Sequence, residues 1–320
     1  MSDTTVVIPN YNGIKYIEDC LDSIYQGSVV PEVIVVDNGS SDGSLALVKE
    51  KYKKARIISF DENTGFSKAV NAGIKAAETE YVLLLNNDTA AERHMVEELE
   101  KAVKEDKLAF SVCAKMINLH RPNLLDGAGD LYSALGWAYA RGKDKDISAY
   151  DKPCRVFSAC AGAAIYRREV FEKIGFFDES HFAYLEDVDI GYRANINGYH
   201  NIYEPAAKVR HAGSAVSGSR HNAFKVRLSA RNSVYLVYKN MPFLQIVLNL
   251  PFLLAGYLIK IFFFALRGMG GSYLKGLLLG IKLCRSKEGR SRKVRFRVRN
   301  IRNYAWIQGQ LWVNIFRRFA

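Results

Sequence analysis

The chain has 320 residues, 49% of them hydrophobic and 24% charged, with 7 prolines and 24 glycines. That length buries a substantial core without disulfides or metals, and the composition excludes a peptide, a fibre and a disordered tail. The net charge of +12 sits almost wholly at one end: from Arg267 onward there are fourteen Lys or Arg against Glu288 alone, so residues 1–266 are close to neutral. Such an end suits a polyanion or an anionic membrane.

The run TTVVI at residues 4–8 predicts a strand, apolar residues at Ile14, Ile17, Leu21 and Ile24 predict a helix over 14–26, and EVIVV at 32–36 predicts a second strand. Helix 44–53, strand 56–60, helix 66–77 and strand 81–85 continue the pattern, with a further helix from about Ala91. Alternation of this kind predicts an α/β fold, a mostly parallel sheet flanked by helices. Ligands of such sheets bind beyond the carboxyl ends of the strands. There the chain carries Pro9-Asn10-Tyr11-Asn12, Asp37-Asn38-Gly39-Ser40 and Asn86-Asn87-Asp88.

Residues 105–155 read as a loop-rich or short-strand insertion. A strand-like stretch follows at 157–167, then helices at 168–174 and 185–197 and a closing strand at 201–209. After His221 the character changes. A helix over 222–240 precedes LQIVLNLPFLLAGYLIKIFFFAL, residues 244–266. This stretch is long enough to cross a bilayer, but Asn249, Pro251 and Lys260 interrupt it, which leaves a span and an in-plane helix both open. Residues 285–302 are basic, and 304–319 set Tyr304, Trp306, Trp312, Phe316 and Phe319 among polar residues, as in amphipathic helices at a headgroup layer.

The cysteines Cys20, Cys113, Cys154, Cys160 and Cys284 show neither CxxC pairs nor zinc spacing and read as reduced thiols. The opening MSDTTVVIPNYNG has no basic or apolar leader stretch, so the body is expected inside the cell.

Three acidic positions could carry chemistry. Asp37 ends a strand, where it could accept hydrogen bonds from a base or a ribose, or simply begin a turn that caps a helix. Asp88 ends YVLLL and could cap the next helix, or hold a divalent ion against a diphosphate. In YLEDVDIGYR, Glu186, Asp187 and Asp189 lie within four residues. Adjacent carboxylates repel and raise a pKa, which suits a general base, whereas a helix N-terminus also favours acids and Asp189 could pair with Arg193 four residues on. His211, alone, reads as structural. No GxGxxG follows the first strand, and GxxxxGK[ST], HExxH and GxSxG are absent from the sequence, which removes the main support for dehydrogenase, P-loop ATPase, zincin and α/β-hydrolase readings.

Taken in order, VVIPNYNG, VVDNGSSDGS, ENTGFSKAVNAGI, LLLNNDT, GAAIYRREVFEKIGFFDE and YLEDVDIGYR resemble the inverting family 2 glycosyltransferases of GT-A fold, in particular the rhamnosyltransferase-like branch. The resemblance covers about residues 4–215. It implies that Pro9, Asn10, Asn12, Asp37, Asn38 and Ser40 form the nucleotide pocket and that Gly65, Phe66, Asn71 and Asn87 continue the nucleotide-sugar site. By the same resemblance Asp88 would hold Mn2+ or Mg2+, with His211 as second ligand. Asn86 stands where the family's DxD motif has its first Asp. Asp187 would be the general base and Glu186 its support.

Residues 1–220 are then the GT-A catalytic domain and 221–320 a helical, basic, membrane-associating region. The expected partners are a nucleotide-sugar donor, most simply dTDP-L-rhamnose with a UDP-hexose as the alternative, a lipid-linked saccharide acceptor and the anionic inner-membrane surface at the cytoplasmic face. Nucleic acid is not expected, because the tail's bulky apolar residues favour lipid over a phosphate backbone. A homodimer is left open.

Overall fold

The β-branched runs of the N-terminal third become strands because Val and Ile fit the pleated surface of a sheet covered on both sides. In the computed structural model, which describes residues 2–213 and 222–318, β1 (Thr4–Asn10), β2 (Glu32–Asn38), β3 (Arg56–Phe60) and β4 (Tyr81–Leu85) lie parallel in the order β3-β2-β1-β4. Helices α1 (Ile17–Tyr25), α2 (Ser44–Lys51) and α3 (Phe66–Ala76) make the crossovers. Alternate strand residues serve opposite faces: Val6, Ile8 and Val35 pack with Leu21 and Ile24 of α1, while Val7, Ile34 and Val36 pack with Val70 and Ile74 of α3.

The second half departs from simple alternation. Its strands are β5 (Thr89–Ala91), β6 (Ala109–Asn118), β7 (Leu125–Gly127), β8 (Asp130–Tyr132), β9 (Ala138–Ala140), β10 (Cys154–Val156), β11 (Ala163–Arg167) and β12 (His200–His211). Residues 89–91, where the sequence predicts a helix start, instead pair antiparallel with β12, and the helix α4 (Met95–Glu105) begins beyond them. The sequence reading also misses β6, which is buried along nearly its whole length. β11 runs antiparallel between β4 and β6, and β12 lies parallel to β6. β8 and β9 form a separate hairpin. Helices α5 (Arg168–Ile174) and α6 (Glu186–Ile196) follow β11.

Five helices complete the chain: α7 (Ala223–Asn240), α8 (Phe243–Ala265), α9 (Gly270–Arg285), α10 (Lys287–Ser291) and α11 (Ile301–Arg317). The expected domain boundary at 220/221 falls within 214–221, and Phe319 lies beyond 318, so both are outside the described residues. Tyr304, Ile307 and Leu311 of α11 share a core with Tyr132, Phe157 and Tyr192.

Helix α8 runs unbroken through Pro251 and buries one face only. On that face Asn249 exchanges hydrogen bonds with Gln308 at 2.8 and 2.9 Å, and the Gly256 carbonyl accepts from Trp137 Nε1 at 3.1 Å. A Cβ at Gly256 would lie 2.1 Å from the Leu135 carbonyl oxygen, so only glycine permits this approach. On the opposite face Leu254, Leu258 and Phe262 are 55%, 63% and 66% exposed. The helix therefore lies along the body of the protein with an apolar stripe facing outward.

Candidate active site

The carboxyl ends of β1, β2 and β4 are tied by polar side chains. Asn87 Nδ2 donates to Asn10 Oδ1 at 2.8 Å, and Asn10 Nδ2 donates to Asp37 Oδ1 and Ser44 Oγ, each at 2.9 Å. The second Asp37 oxygen accepts the Ser40 N–H at 3.1 Å. Asp37 is thus 1% exposed, with each carboxylate oxygen accepting one hydrogen bond inside the protein. Asn12 and Ser40 lock two loops together, since the Asn12 N–H donates to Ser40 Oγ and Asn12 Oδ1 accepts the Ser41 N–H. Asn38 reaches across to residues 63–65, donating to the Gly65 carbonyl and accepting from Thr64. Asn71 is buried and bonds to Phe177 and Glu179, bracing the segment ahead of α6.

These ends open into a cavity of about 880 Å³ lined by Pro9, Asn10, Asn38, Gly65, Phe66, Asn87, Asp88, Glu186 and Asp187, among others. The structure therefore brings nine of the residues singled out in the sequence to one cavity wall. Asn12, Asp37, Ser40, Asn71 and His211 stand behind that wall. Gly65 adopts φ 90°, and a Cβ there would lie 2.6 Å from the Phe182 ring, so glycine is required by both conformation and space.

At one side of the cavity His211 Nε2 is 3.2 Å from Asp88 Oδ1 and His211 Nδ1 is 2.7 Å from Asp126 Oδ2. Burial alone would lower the His211 pKa, but the two carboxylates outweigh it and raise it to about 9. Asp126 is lowered to about 2 despite its burial, by His211 and by Lys143, to which it is also bonded. A carboxylate behind a histidine fixes its tautomer and ring direction, as around metal ligands. As it stands the Asp88–His211 contact is an ion pair of a protonated imidazole; a Mn2+ or Mg2+ held by the two would replace that proton, and two cis ligands of such a cation at ~2.1 Å also lie ~3 Å apart.

At the other side three carboxyl groups converge. Asp187, at the first turn of α6, accepts the Val188 N–H at 2.7 Å and is hydrogen-bonded to Asp130 of β8. Burial raises the Asp187 pKa, and burial together with the Asp187 charge raises Asp130 and Glu186 further, well above the ordinary carboxylate range. One oxygen of the buried Glu186 has no hydrogen-bond partner. All three are raised, and Asp187 alone has the Val188 N–H and the Asp130 side chain opposing the rise. Sequence reasoning missed Asp130 and Asp126. Both flank Gly-Ala-Gly in LDGAGDLY, a stretch with no periodicity to mark it.

The backbone leading to α6 is unusual: Phe182, Tyr184 and Leu185 have φ of 62°, 69° and 68°. Each such non-glycine residue costs ~1–3 kcal/mol and persists only where its surroundings hold it. Here α7 supplies the hold. Asn232 Nδ2 donates to the carbonyls of His181, Ala183 and Tyr184 at 2.7 to 2.9 Å, and Arg231 donates to those of Ser180 and His181. Below the segment, Lys239 bridges the buried Asp178 and Asp189 at 2.7 and 2.8 Å, and Arg193 pairs with Asp189 at 2.9 Å. Asp178, His181 and Asp189 are also close enough to share an ion, but these side-chain cations already neutralise the acids.

The sheet order, with its antiparallel strand inserted beside β4, and the cavity at its carboxyl edge are those of the GT-A fold. The profile of Glycosyl transferase family 2 matches residues 5–175, and the chain belongs to that family. Over 232 residues it is 25% identical to the N-acetylglucosaminyl-diphospho-decaprenol L-rhamnosyltransferase of Mycobacterium tuberculosis, a match spanning 64% of this chain and 75% of that protein. Among solved structures, the mannosyltransferase PcManGT of Pyrobaculum calidifontis, in complex with GDP-Man and Mn2+, aligns with a TM-score of 0.56 at 17% identity over 97% of this chain and 84% of its own. GalNAc-T7 with UDP, GalNAc and Mn2+ aligns with a TM-score of 0.60 at 15% identity over 74% of this chain, which spans just under half, 47%, of that one. At these identities the two structures establish the fold.

Proposed function

We propose that the protein transfers a sugar, most simply L-rhamnose from dTDP-L-rhamnose, with inversion onto a lipid-linked saccharide at the cytoplasmic face of the membrane, in the assembly of a cell-surface polysaccharide. The observation that carries this reading is one cavity with Asp88, backed by His211, on one side and the Asp130–Asp187–Glu186 group on the other. The mycobacterial relative, named for a diphospho-decaprenol substrate and L-rhamnose transfer, supports the choice of donor and acceptor.

In this reading Pro9, Asn10, Asn38, Gly65, Phe66 and Asn87 shape the donor pocket. Asp37, Asn12, Ser40 and Asn71 support it from behind. A divalent cation bound by Asp88 and His211 would offset the charge of the donor diphosphate. Asp187 takes the proton from the acceptor hydroxyl, the oxygen attacks the anomeric carbon, and the bond to the diphosphate breaks on the opposite face. One displacement inverts the centre. Asp130 and Glu186, which hold their protons more tightly, remain neutral and let Asp187 carry the charge.

Attachment to an anionic bilayer is supported by the outward apolar stripe of α8 and by the basic residues that follow it. Each cation near such a surface adds ~1 kcal/mol, and buried apolar side chains add the second signal that firm attachment needs. Because the buried face of α8 is committed to the body of the protein, the helix lies in the interface in this reading.

The experiment is turnover of a panel of nucleotide sugars, dTDP-rhamnose and UDP-hexoses included, with Mn2+, Mg2+ or EDTA and a polyprenyl-diphosphate GlcNAc acceptor. The expected result is cation-dependent transfer from dTDP-rhamnose. Transfer from a UDP-hexose alone would replace the donor, and full activity in EDTA would remove the cation.

A further inference from the structure

Lys260, Arg317 and Arg318 gather around the β8–β9 hairpin, where rings and amides, and among the described residues no carboxylate, hold them. Lys260 Nζ lies 5.5 Å from the centre of the Trp137 ring, and the Arg318 guanidinium lies 5.4 Å from that of Tyr139. Arg317 Nη1 is 3.3 Å from Gln310 Oε1 and 3.3 Å from Asn314 Oδ1. Burial chiefly, and the nearby Arg318 after it, lower Lys260 to about 8.

Their position is informative. The Tyr139 ring that carries Arg318 is itself part of the cavity wall, and its hydroxyl donates to the Asn314 carbonyl of α11 at 2.6 Å. On the other side, Lys260 is flanked along α8 by the exposed Leu258, Ile259 and Phe262, and Arg318 follows the exposed Phe316 of α11. Tyr139 thus joins the cations to the cavity that also holds Asp130 and Asp187, with exposed apolar side chains beside the cations. A polyprenyl-diphosphate sugar offers matching groups in sequence: an apolar chain, a dianionic diphosphate, then the sugar with its reacting hydroxyl.

We propose that Lys260 and Arg318, with Arg317 beside them, bind the diphosphate of a polyprenyl-diphosphate-linked acceptor as its sugar enters the cavity past Tyr139. This rests on the lipid-linked acceptor of the proposed function and names the group that anchors it. The basic residues of 285–299 precede α11 and are left for the general attraction to anionic lipid.

The test is calorimetric titration of the full chain in neutral detergent with farnesyl diphosphate, in EDTA so that no divalent cation sits between Asp88 and His211. Removing one charge-assisted hydrogen bond to a phosphate lowers affinity about tenfold or more. Lys260→Gln/Arg318→Gln is therefore expected to weaken binding by that factor or more, with an unchanged thermal melt, while Lys260→Arg binds as wild type does and neither dTDP nor farnesol competes. The proposal is overturned if the double variant binds as wild type, or if dTDP displaces farnesyl diphosphate, which would place the ligand in the donor pocket. It is equally overturned if the double variant loses phosphatidylglycerol vesicles in the same proportion as farnesyl diphosphate, which would make the cations headgroup ligands. A wild type that binds farnesyl diphosphate yet transfers no sugar would instead refute the proposed function and leave this site standing.

Discussion

Replacing Asp130 by alanine removes the side chain that shares a hydrogen bond with Asp187, leaving the Val188 N–H among the backbone donors to that carboxylate. Burial drives the Asp187 pKa up, and these hydrogen bonds oppose it. A hydrogen bond to a charged group contributes ~1.5–3 kcal/mol and one pKa unit is ~1.4 kcal/mol, so the loss moves Asp187 up by ~1–2 units. Asp187 must be ionised to accept the acceptor's proton. The acidic limb of log kcat/KM against pH should therefore move to higher pH by the same amount, with the alkaline plateau retained. Asp130→Asn keeps a neutral donor of the same shape and should leave the limb near its wild-type position. The assay is the pH profile of acceptor kcat/KM at saturating donor for the three proteins. An unmoved limb in Asp130→Ala, or a limb displaced equally in Asp130→Asn, would show that Asp130 does not hold Asp187 ionised.

Other consequences are as direct. Asn232→Ala strands three carbonyls of the positive-φ segment, so a loss of ~1–3 kcal/mol in stability is expected, with acceptor kcat/KM falling more than donor affinity; equal effects on both substrates would argue that α7 does not support the acceptor side in particular. Glu186 has a raised folded pKa, so the native state binds more protons than the unfolded chain and stability declines as pH rises from the ordinary glutamate value toward the raised one. Glu186→Gln abolishes that term, and its melting temperature should match wild type at acid pH and exceed it increasingly toward neutrality; a constant offset at every pH contradicts the assignment. Leu258→Glu/Phe262→Glu places two charges on the outward stripe of α8 and should abolish cosedimentation with anionic vesicles while the melt is unchanged. These substitutions are a better probe than removing the C-terminal helices, because Tyr304, Ile307 and Leu311 fill the core beside Tyr132 and a truncation would open it.

How far the sequence can be read depends on what each residue is bonded to. The strands Arg56–Phe60 and Tyr81–Leu85 and the helix Arg168–Ile174 are legible because one-sided or continuous apolar runs admit few alternatives. β6 is not, because FSVCAK sets Ser111, Cys113 and Lys115 along a buried strand; Lys115 is made tolerable by Asp151 at 2.5 Å and Ser111 by Asn201 at 2.7 Å, partners distant in the chain. Residues 89–91 pair with β12, which no local pattern announces.

At the site, the motif resemblance selects the residues around the cavity, but which of them face it is a tertiary matter. Asp37, expected to meet a base, is held by Asn10 and Ser40, one hydrogen bond to each oxygen, which only the folded loops bring to it. His211, structural by itself, acquires its position from Asp126 and Asp88, and the convergence of Asp130 on Asp187 depends on a hairpin too short to have a periodicity.

The central claim is that Asp187 accepts the acceptor's proton in a single displacement. Single-turnover transfer by Asp187→Asn, with donor affinity measured alongside, tests it most directly. The expected result is a rate reduced by ~10²–10⁴-fold with donor affinity unchanged and the wild-type product inverted at the anomeric carbon. A variant that transfers sugar at the wild-type rate, or a wild-type product with retained configuration, would contradict the account.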